Sequence, residues 1–361
     1  MNLKEIMDNS LPNPIKDYYI AYFDILGYKE FFRTQPDKVP EFLQLIHAAM
    51  IKSKNQIAAI NISPLANTVG NINISVKIFS DNVLLCMEAL DGSIEQIRIL
   101  AFLQIVADLQ RGFVTEYGLF VRGGIRKGPI SINPDYVFGK GLIEAVEMEN
   151  KAQFPRIVID KDLFTIMTTN HLFSQEEAEE VIRIEQLLKD GKEVTSEEQN
   201  FYAKLSFDFY VLGILNAVIT QLIVLWTDNQ LILNYLYSLN VADLFTEQLK
   251  NNVLNTLQTQ FPSDYALATL PSLSLEDILL RHKEKVEEQL NKWGSNANIP
   301  TGDTKSAEER EKVLRKYVWS MAFHNWVCQK YEKMDYFIST QCNCDTRFVK
   351  MTIKVLDDES K

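Results

Sequence analysis

Cysteine and histidine are scarce in this sequence, and their scarcity excludes several classes of protein. Only 4 of the 361 residues are cysteine and 4 are histidine. So few cysteines in a chain of this length are not a disulfide scaffold, and Cys342 and Cys344 alone are a poor zinc motif. The histidines are scattered and have no metal-ligand spacing. We therefore expect reduced thiols, as in a cytoplasmic protein.

An excess of basic residues is also absent. Lysine and arginine number 37 against 48 aspartates and glutamates, which gives a formal net charge of −11. A general nucleic-acid-binding protein needs a basic surface, so we expect no nucleic-acid partner. A nucleotide substrate remains open because it needs only a local positive site.

Long apolar runs are few. The stretch from Phe209 to Trp226 is the one that resembles a membrane span. It contains Asn216, Thr220 and Gln221 and lacks basic flanks, which favours a buried helix over a membrane-spanning one. The first ten residues lack the basic and then apolar pattern of a secretion signal. These features predict a cytoplasmic protein with no membrane partner.

The order of predicted strands and helices indicates a mixed sheet. Apolar strand-like segments and periodic helical segments follow one another as β-α-β-β-α-β-α-β up to about residue 160. This order favours an α+β fold, an antiparallel or mixed sheet covered by helices, over a doubly wound parallel sheet. We predict a leader at 1–16, a first domain at 17–215 with an acidic helical insertion near 174–204, and a mainly helical region at 216–361.

Two aspartates at the ends of apolar segments are the main candidates for functional residues in the sequence. The aromatic run from Tyr18 to Phe23 is typical of a buried strand and ends at Asp24, and Asp81 is likewise flanked by apolar residues. A buried aspartate is costly unless its charge is paired. Two of them on neighbouring strands could hold magnesium or manganese over a triphosphate, whereas single turn or capping roles are the alternative.

Four segments, in the correct order, resemble the motifs of class III nucleotidyl cyclases. Phe23 to Tyr28 is similar to the first metal motif and Lys77 to Asp81 to the second. Val121 to Gly128 is similar to the central strand, and the helix after Gly139 takes the place of the family's catalytic helix. The closer resemblance is to the bacterial pyrimidine cyclases, uridylate and cytidylate, of Pycsar anti-phage systems. It extends over about 17–160 and less closely to 215, and is based on Arg122-Gly123-Gly124, Phe138-Gly139, Glu144-Ala145, Glu149, Ala152 and Pro155-Arg156-Ile157.

The resemblance implies a site for two divalent cations, Mg²⁺ or Mn²⁺. Asp24, Asp81 and the backbone carbonyl of Ile25 would hold them. The ions would activate the ribose 3′-hydroxyl and stabilise charge on the α-phosphate and on the leaving pyrophosphate.

The resemblance also assigns residues to the nucleotide. The backbone amides of Leu26, Gly27 and Tyr28 would cradle the β- and γ-phosphates. Arg122 would bind the triphosphate; the alternative for this residue is a salt bridge that stabilises the sheet. Lys77 would face the base, where an ammonium suits an acceptor of uracil, cytosine or adenine. Tyr136 falls at the family's other base-selecting position and could narrow the pocket toward pyrimidines, unless it is a core tyrosine.

Two positions depart from the family pattern. The family's catalytic asparagine falls on Ile143 and its transition-state arginine on Glu147, and neither side chain can do that chemistry. Another cation would have to reach the α-phosphate. The candidates are Arg126, Lys127, Lys140 and Arg156.

These expectations combine into one predicted function. The protein would be a lyase that converts UTP or CTP into the 3′,5′-cyclic monophosphate and pyrophosphate, as a second messenger of antiviral defence. It would act as a homodimer with active sites at the interface, lined by the helix 141–151. The alternatives are a catalytically degenerate, cyclase-like nucleotide sensor or binding module, a purine (ATP) cyclase, or a protein in which the region after 215 is an interaction platform.

Overall fold

The structure is a computed structural model. It describes residues 14–44, 47, 74–90, 95–133, 135–169, 175–202, 218–237, 273–294 and 307–339. None of the helices in these ranges is both long enough and apolar enough to cross a membrane.

The described ranges contain eight strands and seven labelled helices. The strands are β1 (Lys16–Ile25), β2 (Ile74–Phe79), β3 (Asn82–Glu88), β4 (Val121–Ile132), β5 (Val137–Phe138), β6 (Ile157–Ile159), β7 (Ile223–Leu225) and β8 (Leu231–Leu233). The helices are α1 (Tyr28–Thr34), α2 (Glu95–Tyr117), α3 (Lys140–Ala152), α4 (Lys161–Thr168), α5 (Gln175–Lys189), α6 (Leu275–Gly294) and α7 (Ala307–Lys330).

The strands form one mixed sheet in the order β2-β3-β1-β4-β6-β8-β7, and β5 pairs with β4 outside this path. The central strand β1 is antiparallel to both β3 and β4, whereas β4 and β6 are parallel. The predicted α+β fold, a mixed sheet covered by helices, is confirmed.

The two faces of the sheet have cores of different size. Alternate residues of β1, including Tyr19 and Phe23, belong to the large core with residues of α2, α6 and α7. Ile20 points to the other face and belongs to a small core with Ala145 of α3. Because successive side chains of a strand alternate in direction, Asp24 shares the face of Ile20 and α3.

Glycines allow α3 to approach β4 closely. A Cβ added to Gly124 would lie 2.4 Å from Met148 Cβ, and one added to Gly128 would lie 2.9 Å from Gly141 Cα. No larger residue fits either position without displacing the helix. The glycines thus determine where α3 presents its side chains to the end of β4.

The predicted buried helix over Phe209 to Trp226 is wrong in its last part. Residues 218–222 are helical, but Ile223–Leu225 is strand β7, which pairs with β8. A continuous apolar run is equally compatible with a buried strand, and here the sheet edge provides the partner. Residues 209–217, the predicted domain boundary at 215, and residues 1–13 of the predicted leader lie outside the described residues.

Candidate active site

Asp24 lies near the carboxyl end of β1, between β3 and β4. Its register partners are Asn82 on β3 and Arg122 on β4. The side chain is about a quarter exposed (23%). The backbone of Asp24 is thus fixed between two neighbouring strands, and its side chain is still partly open to a ligand.

Asp81 occupies the tight turn between β2 and β3. Phe79 pairs with Asn82 across this turn, and Ser80 has a φ of +59°, as the first central residue of a two-residue hairpin often does. The carbonyl of Asp81 accepts a hydrogen bond of 2.7 Å from the amide of Ile25. The structure therefore brings the backbones of Ile25 and Asp81 into contact, next to Asp24.

A chain of side-chain hydrogen bonds leads to Asp81. The hydroxyl of Tyr22 donates to Asn82 Oδ1 at 2.8 Å, and Asn82 Nδ2 donates to Asp81 Oδ1 at 3.3 Å. These contacts leave Asp81 Oδ2 to other partners. The sequence-based assignment missed Tyr22 and Asn82, although each is adjacent to or within two residues of a predicted metal ligand.

Arg122 is shared by two carboxylates. Its Nη2 lies 3.7 Å from Asp24 Oδ2 and also contacts Glu149 Oε1 on α3. The Glu149 side chain is 7% exposed, and Arg122 Nε is buried with no hydrogen-bond partner among the described residues. Glu149 is part of the motif resemblance, but the sequence alone does not assign it to the site.

Asp24 has a raised pKa. Burial is the main cause, and the charges of Glu149 and Asp81 add to it, whereas Arg122 and Lys316 oppose it. Two carboxylates, those of Asp24 and Glu149, therefore lie beside the Arg122 guanidinium, and Asp81 adds a third negative charge near Asp24, so the region favours a ligand that brings positive charge. Lys316 belongs to α7, and no sequence signal connects that helix with Asp24.

The backbone amides in the turn after β1 differ in whether they are already hydrogen-bonded within the protein. The N–H of Leu26 donates to the carbonyl of Phe120 at 2.7 Å, so it is engaged within the protein. Gly27 has a φ of +80° and Tyr28 begins α1. The first N–H groups of a helix have no partner within it, which leaves Tyr28 better placed than Leu26 to meet an anion.

The four cations proposed for the transition state are each engaged elsewhere. Arg126 Nη2 lies 3.0 Å from Glu144 and shares the face of Asp24, but it is four residues, about 13 Å, along β4 from Arg122. Lys127 points to the opposite face, where its Nζ contacts Glu95 at 2.7 Å. Lys140 is largely exposed and lies 3.4 Å from Glu144.

Arg156 has the most extensive structural role of the four. Its side chain is 2% exposed, its Nη2 lies 2.5 Å from Asp228, and its Nε donates to the carbonyl of Ala152 at 3.0 Å. The guanidinium also lies over the rings of Phe154 and Trp319. These contacts tie β6 to the β7–β8 turn and to α7.

The two predicted base-recognition residues lie in different places relative to Asp24. Lys77 pairs with Leu84, which pairs with Tyr22, so Lys77 lies two strands from β1 on the face of Asp24. Tyr136 lies beyond the carboxyl end of β4 and is exposed (38%). Since Arg122 is at the amino end of β4, one protomer places Tyr136 at the other end of the sheet from Asp24.

The donor set matches hard divalent cations in type. Two carboxylates, Asp24 and Asp81, and the carbonyl of Ile25 offer oxygen ligands of the kind that Mg²⁺ and Mn²⁺ prefer. Among the residues that the structure describes, no group of three or more histidine, cysteine, aspartate or glutamate side chains could by itself hold a metal ion. A metal here would therefore need further ligands, such as phosphate oxygens.

Comparisons with known proteins give a distant likeness to solved structures. No protein-family model matches the chain, and no curated protein matches it. Among solved structures, the chain is similar to the crystal structure of the adenylyl cyclase CyaB from P. aeruginosa, at 15% sequence identity and a TM-score of 0.32. The match covers 44% of this chain and 83% of that one.

Proposed function

We propose that this protein is a metal-dependent nucleotide cyclase that converts UTP or CTP into the 3′,5′-cyclic monophosphate and pyrophosphate. The observation that supports this most is the meeting of Asp24 and Asp81 beside Arg122 at one end of the sheet. A pure nucleotide sensor has little need of two adjacent metal-binding carboxylates. The cyclase resemblance of the sequence motifs points to the same residues.

The chain's own residues bind and orient the triphosphate. Arg122 has a partly exposed guanidinium that Glu149 and Asp24 hold in place, a planar group suited to phosphate oxygens. Gly27 and Tyr28 shape the turn that would approach the β- and γ-phosphates. Asp24, Asp81 and the Ile25 carbonyl would hold the divalent cations, which supply charge neutralisation and activate the attacking hydroxyl when bound.

The reaction needs no protein nucleophile. The ribose O3′ forms a bond to the α-phosphorus, the bond from the α-phosphorus to its bridging oxygen breaks, and pyrophosphate leaves. The hydroxyl proton passes to solvent. The protein's contribution is to hold the 3′-hydroxyl in line with the leaving group and to offset the charge that develops there.

The choice of a pyrimidine base and a role in bacterial antiviral defence depend on the motif resemblance. Lys77 offers a donor for uracil O4 or for cytosine N3 or O2, but adenine N1 would also accept. Tyr136 is proposed to narrow the pocket. An ATP cyclase is therefore the alternative that the nucleotide assay must exclude.

A homodimer with shared sites is part of the proposal. Asp24 and Tyr136 lie at opposite ends of the sheet within one chain, so a site that uses both would combine two protomers. Large apolar side chains are exposed on the β2–β3 hairpin, on β5 and on α3: Phe79 (53%), Phe138 (71%) and Ile143 (62%). Exposed apolar residues of this size favour burial against a second copy.

The test is a product assay with matched variants. The purified protein is incubated with ATP, GTP, CTP or UTP and manganese or magnesium, and cyclic nucleotides are identified by mass spectrometry. Asp24→Asn and Asp81→Asn should each abolish product without lowering the melting temperature by more than a few degrees. Asp37→Asn, an exposed aspartate in the short 3₁₀ helix Pro36–Lys38, is the control and should retain activity.

The outcomes separate the candidate functions. One cyclic pyrimidine product, lost in both site variants, supports the proposal. A cyclic AMP product would replace the pyrimidine assignment with a purine one. Binding of a nucleotide without turnover of any of the four would favour the sensor.

A further inference from the structure

Glu149 is the charged residue on the buried stripe of helix α3. Gly141, Ala145, Glu149 and Ala152 form this stripe. The backbone of α3 passes directly over β4, because a Cβ added to Gly124 would lie 3.2 Å from the carbonyl oxygen of Ala145 and 3.4 Å from the backbone nitrogen of Glu149. Helix packing therefore determines where the Glu149 carboxylate lies.

The buried carboxylate of Glu149 is neutralised by Arg122. The Glu149 side chain is 7% exposed, and its Oε1 contacts Arg122 Nη2. Arg122 is two residues before Gly124 on β4, so both lie on the face that α3 covers. A buried carboxylate is costly without a compensating charge, and Arg122 is the basic residue that forms an ion pair with Glu149 among the described residues. The two side chains are thus held together before any ligand binds.

The same guanidinium is directed at Asp24. Arg122 and Asp24 are register partners on neighbouring strands, and Arg122 Nη2 lies 3.7 Å from Asp24 Oδ2. The contact with Glu149 is the closer of the two. Because the Arg122 side chain is still 23% exposed, part of the guanidinium can meet a ligand that approaches Asp24. Glu149 therefore anchors Arg122 at the position of Asp24.

The register of β1 and β4 separates Arg122 from the turn proposed for the β- and γ-phosphates. Gly27 and Tyr28 follow the end of β1, three and four residues beyond Asp24, whereas Arg122 is level with Asp24 itself. A triphosphate that ends at the turn would leave its α-phosphate nearest to Asp24 and Arg122. Cyclisation forms and breaks bonds at the α-phosphorus, so a fixed guanidinium there would offset the charge that develops in the transition state.

We propose that Glu149 is a positioning residue that holds Arg122 against the α-phosphate of the nucleoside triphosphate. This inference rests on the proposed function and deepens it, because it assigns Arg122 to the reacting phosphate and gives a buried carboxylate of α3 a part in the reaction. The four other basic residues considered for the transition state are then not needed there.

The experiment compares single and double variants of the full-length protein. Glu149→Gln keeps the size of the side chain but removes its charge, Arg122→Met removes the guanidinium, and the double variant removes both. The matched control is the ion pair of Arg281 on α6 and Glu116 on α2, whose side chains are 42% and 40% exposed. Its variants Arg281→Met and Glu116→Gln remove the same groups from helices that pack on the opposite face of the sheet. Thermal unfolding of every variant checks that the protein is folded.

The first readout is cyclisation of the preferred triphosphate. We expect Glu149→Gln to lower kcat by about 10- to 100-fold, the range typical of losing a residue that orients a group of the site. In the Arg122→Met background the same change should cause no further loss, because Glu149 acts through Arg122.

The second readout is equilibrium binding, with manganese, of two kinds of probe. UMP and CMP carry only the α-phosphate, and inorganic pyrophosphate represents the β- and γ-phosphates. Glu149→Gln should weaken monophosphate binding by about 10-fold and change pyrophosphate binding by less than about 3-fold.

The outcomes distinguish this inference from the proposed function. If wild type forms a cyclic product and Glu149→Gln behaves like Glu116→Gln, or its loss adds to that of Arg122→Met, the inference is overturned and the proposed function stands. An equal or larger effect on pyrophosphate binding would assign Arg122 to the terminal phosphates and overturn the inference as well. If wild type forms no product, but Glu149→Gln selectively weakens monophosphate binding and does so only when Arg122 is present, the proposed function fails and the inference stands. Wild type that binds no nucleotide would overturn both.

Discussion

The orientation of single side chains in the site is set by contacts with neighbouring side chains. Arg122 contacts Glu149 and lies near Asp24, so its guanidinium is fixed before any ligand arrives. Asp81 receives a hydrogen bond from Asn82, whose amide is in turn oriented by Tyr22. Because the Tyr22 hydroxyl donates to Asn82 Oδ1, the amide NH₂ must face Asp81, and the carboxylate is held in one orientation.

Removing the Tyr22 hydroxyl should therefore weaken the metal site. In Tyr22→Phe the Asn82 amide can rotate, and we expect manganese affinity and cyclisation to fall by about 10-fold, the effect typical of losing a partner that orients a ligand. Tyr18→Phe is the control, because Tyr18 lies on the same face of β1 but six residues before Asp24. Equal effects of the two substitutions would show that the Tyr22 hydroxyl does not orient Asp81.

At the scale of helices and strands, the sequence predicted those elements that depend on a local pattern of residues. Strand β1, the Asp81 hairpin and helices α2, α3 and α5 follow from apolar periodicity and turn residues. The β7–β8 hairpin was missed, because the apolar run of Ile223–Leu225 cannot be told from a helix by periodicity. The turn signal was nevertheless present: Asp228 and Asn229 separate two apolar triplets, and Asn229 has a φ of +60°.

Long-range charge pairing could not be predicted in the same way. Arg156 was a candidate for the nucleotide, yet its partner Asp228 is 72 residues away in a turn that the sequence did not indicate. Glu149 reaches Arg122 only because α3 packs where it does. Residue type identifies a possible charge partner, but only the tertiary fold selects one.

The close packing of α3 on β4 predicts that a side chain at position 124 in place of Gly124 destabilises the protein. In Gly124→Ala the new methyl group would overlap Met148 Cβ and lie 3.2 Å from the carbonyl oxygen of Ala145, so the helix must move. We expect a loss of about 2–3 kcal/mol in the free energy of unfolding, measured by urea denaturation, and reduced activity because Glu149 moves with α3.

Gly191→Ala provides the comparison for this prediction. Gly191 has a φ of +67° but nothing within 4 Å of an added Cβ. Its substitution should cost only about 1 kcal/mol of backbone strain and leave activity unchanged. If Gly124→Ala were no more costly than Gly191→Ala and fully active, α3 would not be held as closely as the structure indicates.

At the scale of the whole molecule, the C-terminal helices are part of the main core. Residues of β8, α6 and α7 share one buried cluster with β1, β4 and α2. We predict that a fragment ending at residue 215 is insoluble or lacks cooperative thermal unfolding, because β6 loses its partner β8 and the large core is exposed. A soluble, active fragment would contradict this prediction.

A buried chain of hydrogen bonds connects α6 and α7 with the segments that follow β8 and α7. The backbone carbonyl of Tyr336 can only accept, so His324 Nε2 donates to it at 2.9 Å. His324 Nδ1 then accepts from His282 Nδ1 at 3.0 Å, and His282 Nε2 accepts from the hydroxyl of Tyr235 at 2.7 Å. With both imidazoles neutral, each of these ring nitrogens has a matching partner, and protonation of either ring would disrupt the chain.

This network predicts acid sensitivity. Burial, with a smaller effect of the Lys283 charge, lowers the pKa of His324 from 6.5 to about 4 despite the hydrogen bond to Tyr336. Burial, with a smaller effect of His324, lowers the pKa of His282 well below its usual value. Since the unfolded chain binds these protons more readily, the associated stability is complete above pH 6.5 and is lost as the pH falls toward 4.

The measurement is the free energy of unfolding by urea between pH 7.5 and 4.5. For His324 alone the loss over this window should approach roughly 3 kcal/mol, and His324→Gln should show a correspondingly smaller decline even if it is less stable at pH 7.5. His47→Gln, at an exposed histidine, is the control and should match wild type. Identical slopes for His324→Gln and wild type would show that His324 titrates normally.

The proposed dimer makes a stricter prediction, because each site would combine Asp24 and Asp81 of one protomer with Lys77 and Tyr136 of the other. Asp24→Asn and Lys77→Met should each inactivate the homodimer. A heterodimer of the two, purified by different tags, should recover about half of wild-type activity, since one of its two symmetric sites contains only unchanged residues.

A heterodimer of Asp24→Asn with Asp81→Asn is the matched control for this experiment. Both changes affect the metal ligands, so each site of that heterodimer contains one altered aspartate and no activity should return. Without recovery in the Asp24→Asn and Lys77→Met pair, Lys77 and Asp24 would belong to the same protomer's site or Lys77 would not contact the base. Recovery confined to that pair would assign the metal-binding and base-binding residues of one site to different copies of the chain.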